Sequence, residues 1–475
     1  MQLKREACLI DGCWVTGEQW IEVDDPATGK LIGRVPDLGV AETERAIVAA
    51  KAAMPAWAAQ PARERAVVLR RFFDLMMTHQ ESLARLLIAE QGKPLAEARA
   101  EIAYAASFLE WFGEEGKRLY GEVVPAPMAD KRIVVLRQPI GVVGAITPWN
   151  FPSAMVTRKI GPALAAGCAV IVKPAPQTPF SALALGVLAT EAGLPAGLLN
   201  IVTGAAPVIG SVLTGSADVA KISFTGSTEV GARLAAQSAA TIKKLSLELG
   251  GNAPFVVFDD ADIDKAVDGA IQSKFRNAGQ TCVSANRLYV QAPVYDAFID
   301  RFVAAVAGLK VGRGDEEGVV VGPLIDEAAV AKVTAHVADA RCRGARVLTG
   351  GEPLPGRFYP PTVLADATSE MLCTREETFG PVAPVIRFES EAEAISLVNA
   401  SYYGLAAYFY AGDLARVWRV AEAIESGMIG VNTGLISTEV APFGGIKQSG
   451  LGREGSHYGI DDYMEAKYLC MGIEG

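Results

Sequence analysis

Histidine is scarce in these 475 residues, occurring only at His79, His336 and His457. Three imidazoles so far apart in the chain argue against a His-built metal site, so no metal is expected. The seven cysteines are scattered and include no CxxC pair. That fits reduced thiols in a cytoplasm better than a disulfide framework. No basic stripe or long like-charge run appears, and the net charge of -10 argues against nucleic acid as a partner. The longest apolar stretch, about Gly161 to Val172, is broken by Gly and Pro and is too short to span a bilayer. The N-terminal run from Met1 to Asp11 has no apolar segment of signal-peptide length. These absences lead us to expect a soluble, cytoplasmic protein with no membrane partner.

What the chain has in quantity is apolar residues (50%), 48 Gly and 26 Pro, enough for a large core with many turns between short elements. Length suggests about three domains. Short β-like runs fill residues 8–38. Helical spacing follows from Ala41 to Trp57, from Ala62 to Gln91 and from Leu95 to Leu119. Residues 121–139 read as a β-ribbon, and Ala466 to Met471 as a further short strand. Together they form a candidate arm for pairing with another subunit. From Gly141 near-continuous apolar strands alternate with helices: Val142–Thr147, Ala169–Pro174, Leu199–Gly204, Val219–Phe224 and Lys244–Leu249. That pattern predicts a doubly wound parallel sheet. A second α/β set follows at Ala253–Phe258, Arg287–Gln291, Ala345–Leu348, Val382–Arg387 and Met428–Asn432, with a boundary near Gly250-Gly251.

Cys282 lies in the polar stretch Arg276 to Ser284, between a helical pattern and a strand, which places a thiol on a loop tip. A lone intracellular Cys is more often core filler, so its meaning depends on the rest of the chain. Four strand ends bear on it. Phe224 to Gly231 is a Gly-containing turn suited to a pyrophosphate, though it lacks the GxGxxG spacing and serves equally as a helix N-cap. Lys173 closes a buried strand, where its ammonium reaches a ribose hydroxyl or phosphate or simply meets solvent. Asn150, in the rigid Thr147-Pro148-Trp149-Asn150-Phe151-Pro152 loop, offers an amide N–H to a developing oxyanion or forms a turn. Glu248 is an acid in an apolar strand end, either a base or one half of an ion pair. A thiol, a carboxylate, an amide donor and a dinucleotide-type sheet are what aldehyde oxidation needs. Cys282, Glu248 and Lys173 also form the set of a thiol amidase or nitrilase, which needs no nicotinamide. A non-catalytic binding protein is the third reading.

The motifs TPWNFP, FTGSTEVG, LELGGNAP, GQTC, EETFGPV and PFGGIKQSG, in this order, resemble the aldehyde dehydrogenase superfamily over essentially the whole chain. The resemblance implies an α/β fold with two doubly wound parallel-sheet domains and a β-ribbon oligomerisation arm. Residues 1–120 and 142–250 would form the NAD(P)-binding domain, 251–435 the catalytic domain, and 121–141 with 455–475 the arm of a homodimer or homotetramer. It makes Cys282 the nucleophile, Glu248 the general base, and Asn150 with the Cys282 N–H the oxyanion hole. Trp149, Lys173, Pro176, Thr225, Gly226, Ser227, Gly231 and Leu249 would line the cofactor site, with Glu377 and Phe379 at the nicotinamide end.

Glu110-Trp111-Phe112, Met155 to Lys159, Lys274 to Asn277, Gly434 to Ser437 and Gly452 to Ser456 resemble the succinate-semialdehyde dehydrogenase branch. In that branch residues at the positions of Arg158, Arg276 and Ser437 hold the distal carboxylate, a role suited to the planar guanidinium fork. The implied substrate is succinate semialdehyde, with glutarate semialdehyde or another small aldehyde as the alternative, and the implied setting is GABA degradation. Two positions depart from relatives. Ser284 stands where some members carry a second Cys, which removes that redox-switch disulfide. Pro176 neither accepts from ribose hydroxyls nor repels a 2′-phosphate, so the cofactor is NADP or NAD.

Overall fold

The computed structural model describes residues 3–473. The Val142–Ile146 strand is buried at all five residues, as a strand covered on both faces must be. It stands inside an eight-stranded sheet, between Ala169–Lys173 on one side and Val219–Thr225 on the other. The chain leaves it for Ala169–Lys173 and Leu199–Ile201, then returns to its other flank with Val219–Thr225 and Lys244–Glu248, all parallel. That reversal of direction opens a crevice beyond the carboxyl ends of Val142–Ile146 and Val219–Thr225, the place where open α/β sheets bind ligands.

The sheet is not purely parallel. Cys8–Ile10 and Cys13–Val15 extend one edge antiparallel, and Gly450–Leu451 pairs antiparallel with Lys244–Glu248 at the other. These strands come from distant parts of the chain and are two or three residues long, so no periodicity marks them. The expected helix from Ala62 to Gln91 is two helices, Ala62–Thr78 and Gln80–Gln91, broken at His79, whose φ of -100° and ψ of 14° leave the helical range. The helix starting at Leu95 ends at Glu115, and Gly116–Arg118 tighten into a 3₁₀ turn. Trp57 donates its indole N–H to Leu164 O at 2.9 Å and so ties Val40–Ala58 to the end of Ala154–Ala166.

A second, seven-stranded sheet runs in the order Arg346–Thr349, Thr362–Ala365, Val382–Phe388, Ala285–Gln291, Ala253–Val257, Ala406–Tyr410 and Met428–Val431. Thr362–Ala365 and Ala406–Tyr410 are absent from the sequence reading. Each sheet has its own apolar core. The first extends to Ile460, Tyr463 and Met464, so the chain returns to it near its end.

Met464–Gly472 then pairs antiparallel with Lys131–Pro139 over nine positions, and Glu122–Val124 adds a third strand. Eight of the nine residues of Met464–Gly472 are exposed, so this ribbon has no cover within the chain. No described helix is long and apolar enough to cross a membrane, and no described cluster of His, Cys, Asp and Glu could hold a metal ion.

Candidate active site

Cys282 is presented by an unusual coil. The Ile263–Phe275 helix starts on the Asp262 cap and ends at Arg276, after which Asn277 and Ala278 take φ values of 51° and 56°. Left-handed backbone disfavours such residues by about 1–2 kcal/mol each. Hydrogen bonds offset this. Asn277 N donates to Glu97 Oε2 (2.8 Å), and its Nδ2 donates to Asn150 O (3.0 Å) and Gln280 O (3.1 Å). Its Oδ1 accepts from Gln91 Nε2 at 2.9 Å. Gln280 accepts from Ile325 N and donates to Pro323 O. Gly251 completes the turn, since a Cβ there would stand 2.3 Å from Cys282 O.

A cavity of about 310 Å³ lies at the crevice of the first sheet. Trp149 and Asn150 follow the Val142–Ile146 strand into it, while Thr225, Gly226 and Ser227 follow Val219–Thr225. Leu249 and Cys282 contribute from the boundary between the two cores, and Glu377 and Phe379 face them. Trp149 and Phe379 meet edge to face, 5.5 Å apart. Ser227 Oγ caps the Thr228–Ser238 helix by accepting from Val230 N. Its first-turn N–H groups and positive dipole end therefore flank the cavity, an arrangement suited to a pyrophosphate.

Other expected residues sit outside that lining. Lys173 is buried, and burial pushes its ammonium down to about 8. Pro176 is exposed. Gly231 makes room for Leu249, because a Cβ there would stand 2.3 Å from Leu249 Cδ2. The cavity also takes in Met155 and a stretch that sequence reasoning missed, Ile325, Asp326, Ala329 and Lys332. Asp326 caps the Glu327–Cys342 helix at Ala329 N, and Lys332 Nζ donates to Glu377 O at 2.6 Å. An N-cap Asp before a helical run was visible in the sequence, but its approach to the first sheet was not.

Burial pushes the Cys282 thiol up to about 12, against the pull of Arg158, so the resting group is a protonated thiol. Glu248 is buried at the end of its strand. Burial, then the charge of Glu454, holds its carboxyl well above the ordinary range. Neither of its oxygens has a hydrogen-bond partner among the described residues. A buried carboxyl with no donor is unusual in a native fold. Asn150 Nδ2 donates one hydrogen to Gln280 O at 3.1 Å, leaving its second for the cleft. Glu377 is pushed up to about 7 by burial, although Gly251 N donates to it at 3.2 Å.

Arg158 is fully buried and stands 2.8 Å from Glu454 Oε2. The N–H is not aimed at that oxygen, so this is an ion pair without a hydrogen bond, and Nε and Nη2 find no acceptor among the described residues. Lys159 Nζ takes the other oxygen of Glu454 at 2.5 Å and also meets Thr225 Oγ1 at 2.8 Å. Against the effect of burial, these two cations hold Glu454 below the ordinary carboxylate range. Arg276 lies over the Phe151 ring and lines a second, apolar cavity of about 250 Å³ with Glu97, Phe275 and Leu435. Ser437 is half-buried and lines neither cavity; Leu435 on the same loop is the residue beside Arg276. Ser284 Oγ donates to Lys274 O at 3.3 Å.

A thiol and an amide donor beside a helix N-terminus at the reversal point of a parallel sheet, with a buried carboxyl at the end of a neighbouring strand, suit a dehydrogenase acting through a covalent thiol adduct. Residues 14–469 match the aldehyde dehydrogenase family, and the chain belongs to it. Members of this family use NAD(P). The chain is 62% identical to a glutarate-semialdehyde dehydrogenase of Pseudomonas aeruginosa over 99% of its own length and 100% of that protein's. It is 60% identical to an NADP(+) succinate-semialdehyde dehydrogenase of Escherichia coli K12, covering 99% and 98%. Its fold superposes on the crystal structure of a succinate-semialdehyde dehydrogenase from Burkholderia pseudomallei with a TM-score of 0.98 at 60% identity, covering 99% and 98%.

Proposed function

We propose that the protein oxidises succinate semialdehyde to succinate with NADP or NAD. The observation that carries this reading is the meeting of the two catalytic loops, joined by Asn150 Nδ2 on Gln280 O next to Cys282. Glu248, directly or through water, takes the Cys282 proton, and the sulfur adds to the aldehyde carbon. Asn150 Nδ2 and the Cys282 N–H stabilise the resulting oxyanion, a contribution of about 3–4 kcal/mol per donor. Bound in the cleft, NAD(P) supplies the acceptor for the hydride that leaves the adduct. Glu248 releases that proton to solvent and then takes one from water, whose oxygen attacks the thioester carbon; the C–S bond breaks and Glu248 returns the proton to the departing thiolate, restoring the thiol.

Trp149, Thr225, Gly226, Ser227, Leu249, Glu377 and Phe379 hold the cofactor in this reading, with Lys173 and Pro176 towards its ribose end. Arg158, Arg276 and Ser437 hold the substrate carboxylate in this reading, although none of the three lines the cavity of Cys282 and Arg276 opens on the second one. Support comes from the Arg158 donors that lack acceptors and from the shared Glu454, which leaves one buried cationic charge for a substrate carboxylate to balance. Glutarate semialdehyde is the second reading, favoured by the 62% identity to an enzyme named for it. The amidase reading draws no support, since Lys173 is not in the cavity of Cys282.

Residues 1–120 and 142–250 form the NAD(P)-binding domain and 251–435 the catalytic domain, each around its own core. The exposed strand Met464–Gly472, paired with Lys131–Pro139, supports an arm at 121–141 and 455–475 and with it a homodimer or homotetramer. A cytoplasmic role in GABA degradation completes the proposal. Reduced-cofactor absorbance with succinate semialdehyde, glutarate semialdehyde and butanal tests it. A higher kcat/KM for butanal than for both semialdehydes would sink the carboxylate clamp.

A further inference from the structure

The segment Gln91 to Pro94 threads between the two halves of the site. Gly92 has a left-handed φ of 90° and lies against Pro323, where an added Cβ would be 2.6 Å from Cγ. The side chain that follows, Lys93, is buried and does not line the cavity of Cys282, and nothing in the catalytic steps uses it. Its ammonium makes two hydrogen bonds and one ring contact. Nζ donates to Glu101 Oε2 at 2.5 Å and to Asn150 O at 2.8 Å, and it lies 3.9 Å from the centre of the Phe151 ring. Glu101 uses its other oxygen to accept from Ser153 N (3.0 Å) and Ala154 N (3.4 Å), the start of the helix that follows the Asn150 loop.

The Asn150 carbonyl accepts from two donors, Lys93 Nζ and Asn277 Nδ2. Asn277 Nδ2 also donates to Gln280 O, and the Asn150 side chain donates to that same oxygen. These bonds close a ring: Asn150 O, Asn277 Nδ2, Gln280 O, Asn150 Nδ2. Lys93 bonds this ring directly at the Asn150 carbonyl. Its own backbone N donates to Gln91 Oε1, whose side chain also holds Asn277. One strut therefore fixes the backbone of the oxyanion donor and the loop of the nucleophile together.

We propose that Lys93 is a positioning residue for the reaction, aiming the Asn150 amide at the adduct oxygen through the Asn150 backbone. The inference rests on the dehydrogenase reading. Displacing that amide weakens the oxyanion from which hydride departs, whereas cofactor binding is untouched. In Lys93→Met, kcat with the semialdehyde should fall at least about tenfold, with KM for NAD(P) changed less than about twofold. The primary deuterium isotope effect with substrate labelled at the aldehyde carbon should rise above the wild-type value. Lys93→Arg, which keeps donors and charge, should recover part of kcat and bring the isotope effect back down.

A buried Glu101 left unpaired can prevent Lys93→Met from folding. The charge-neutral double variant Lys93→Met with Glu101→Gln then carries the same test. A folded variant with wild-type kcat and isotope effect overturns the assignment, as does a loss of kcat with no change in isotope effect. Failure of the wild-type protein itself to turn over any semialdehyde would instead count against the dehydrogenase reading.

Discussion

At the scale of single residues the site depends on groups held in states they would not adopt in water. Cys282→Ala removes the only thiol in the cavity, and NAD(P)H formation should fall to background. Glu248→Gln keeps the shape of the buried carboxyl but not its basicity. The first turnover of NAD(P)H should slow less than steady-state kcat, which drops about 100-fold or more, seen by rapid mixing. Its stability effect has a definite sign. The folded protein holds the Glu248 proton well above the ordinary value of 4.5. The stabilisation linked to that proton is complete below pH 4.5 and is lost as pH rises through the folded value. Gln cannot ionise, so the Tm of the variant relative to wild type should increase from pH 5 to pH 9. Arg158→Met leaves Glu454 paired with Lys159 and so keeps the fold. KM for succinate semialdehyde should rise at least about tenfold, from loss of a charge-assisted bond, while butanal kinetics change little.

At the scale of elements, sequence and structure agree where apolar runs are long and differ where pieces are short. Ala154–Ala166 and Ala169–Lys173 stand where their patterns place them, because thirteen and five consecutive buried residues leave no other assignment. The loop before Cys282 is legible as polar, but its left-handed turn at Asn277 and Ala278 is not, since it is imposed by Glu97, Gln91 and Asn150 from other elements. Gly251 belongs to this scale too. Gly251→Ala drives a Cβ into Cys282 O, so kcat should collapse with little change in cofactor affinity, measured by fluorescence titration. On the arm, Val123 and Tyr468 are 80% and 69% exposed on the outer strands of the ribbon. Leu469→Glu on that ribbon should shift the protein to smaller species in sedimentation if the arm joins subunits, with each subunit remaining folded.

At the scale of the whole molecule, the site exists because two cores meet. Neither sheet contains the whole of the proposed catalytic set: Asn150 and Glu248 come from the first, Cys282 from around the second. The sequence by itself determined the residue inventory, the alternation of buried strands with helices, and the strand ends on which chemistry would stand, because these are written in local spacing. Only the tertiary structure decided three things: that Asn150 and the Cys282 loop share a hydrogen-bonded ring, that Glu248 has no hydrogen-bond partner among the described residues, and that Arg158 already faces Glu454 while Arg276 opens on a different cavity. The physical reason is distance along the chain. Asn150 and Gln280 are separated by 130 residues, and Lys159 and Glu454 by 295, so nothing local encodes their contact. It is set by how the sheet reverses direction and where the chain re-crosses it.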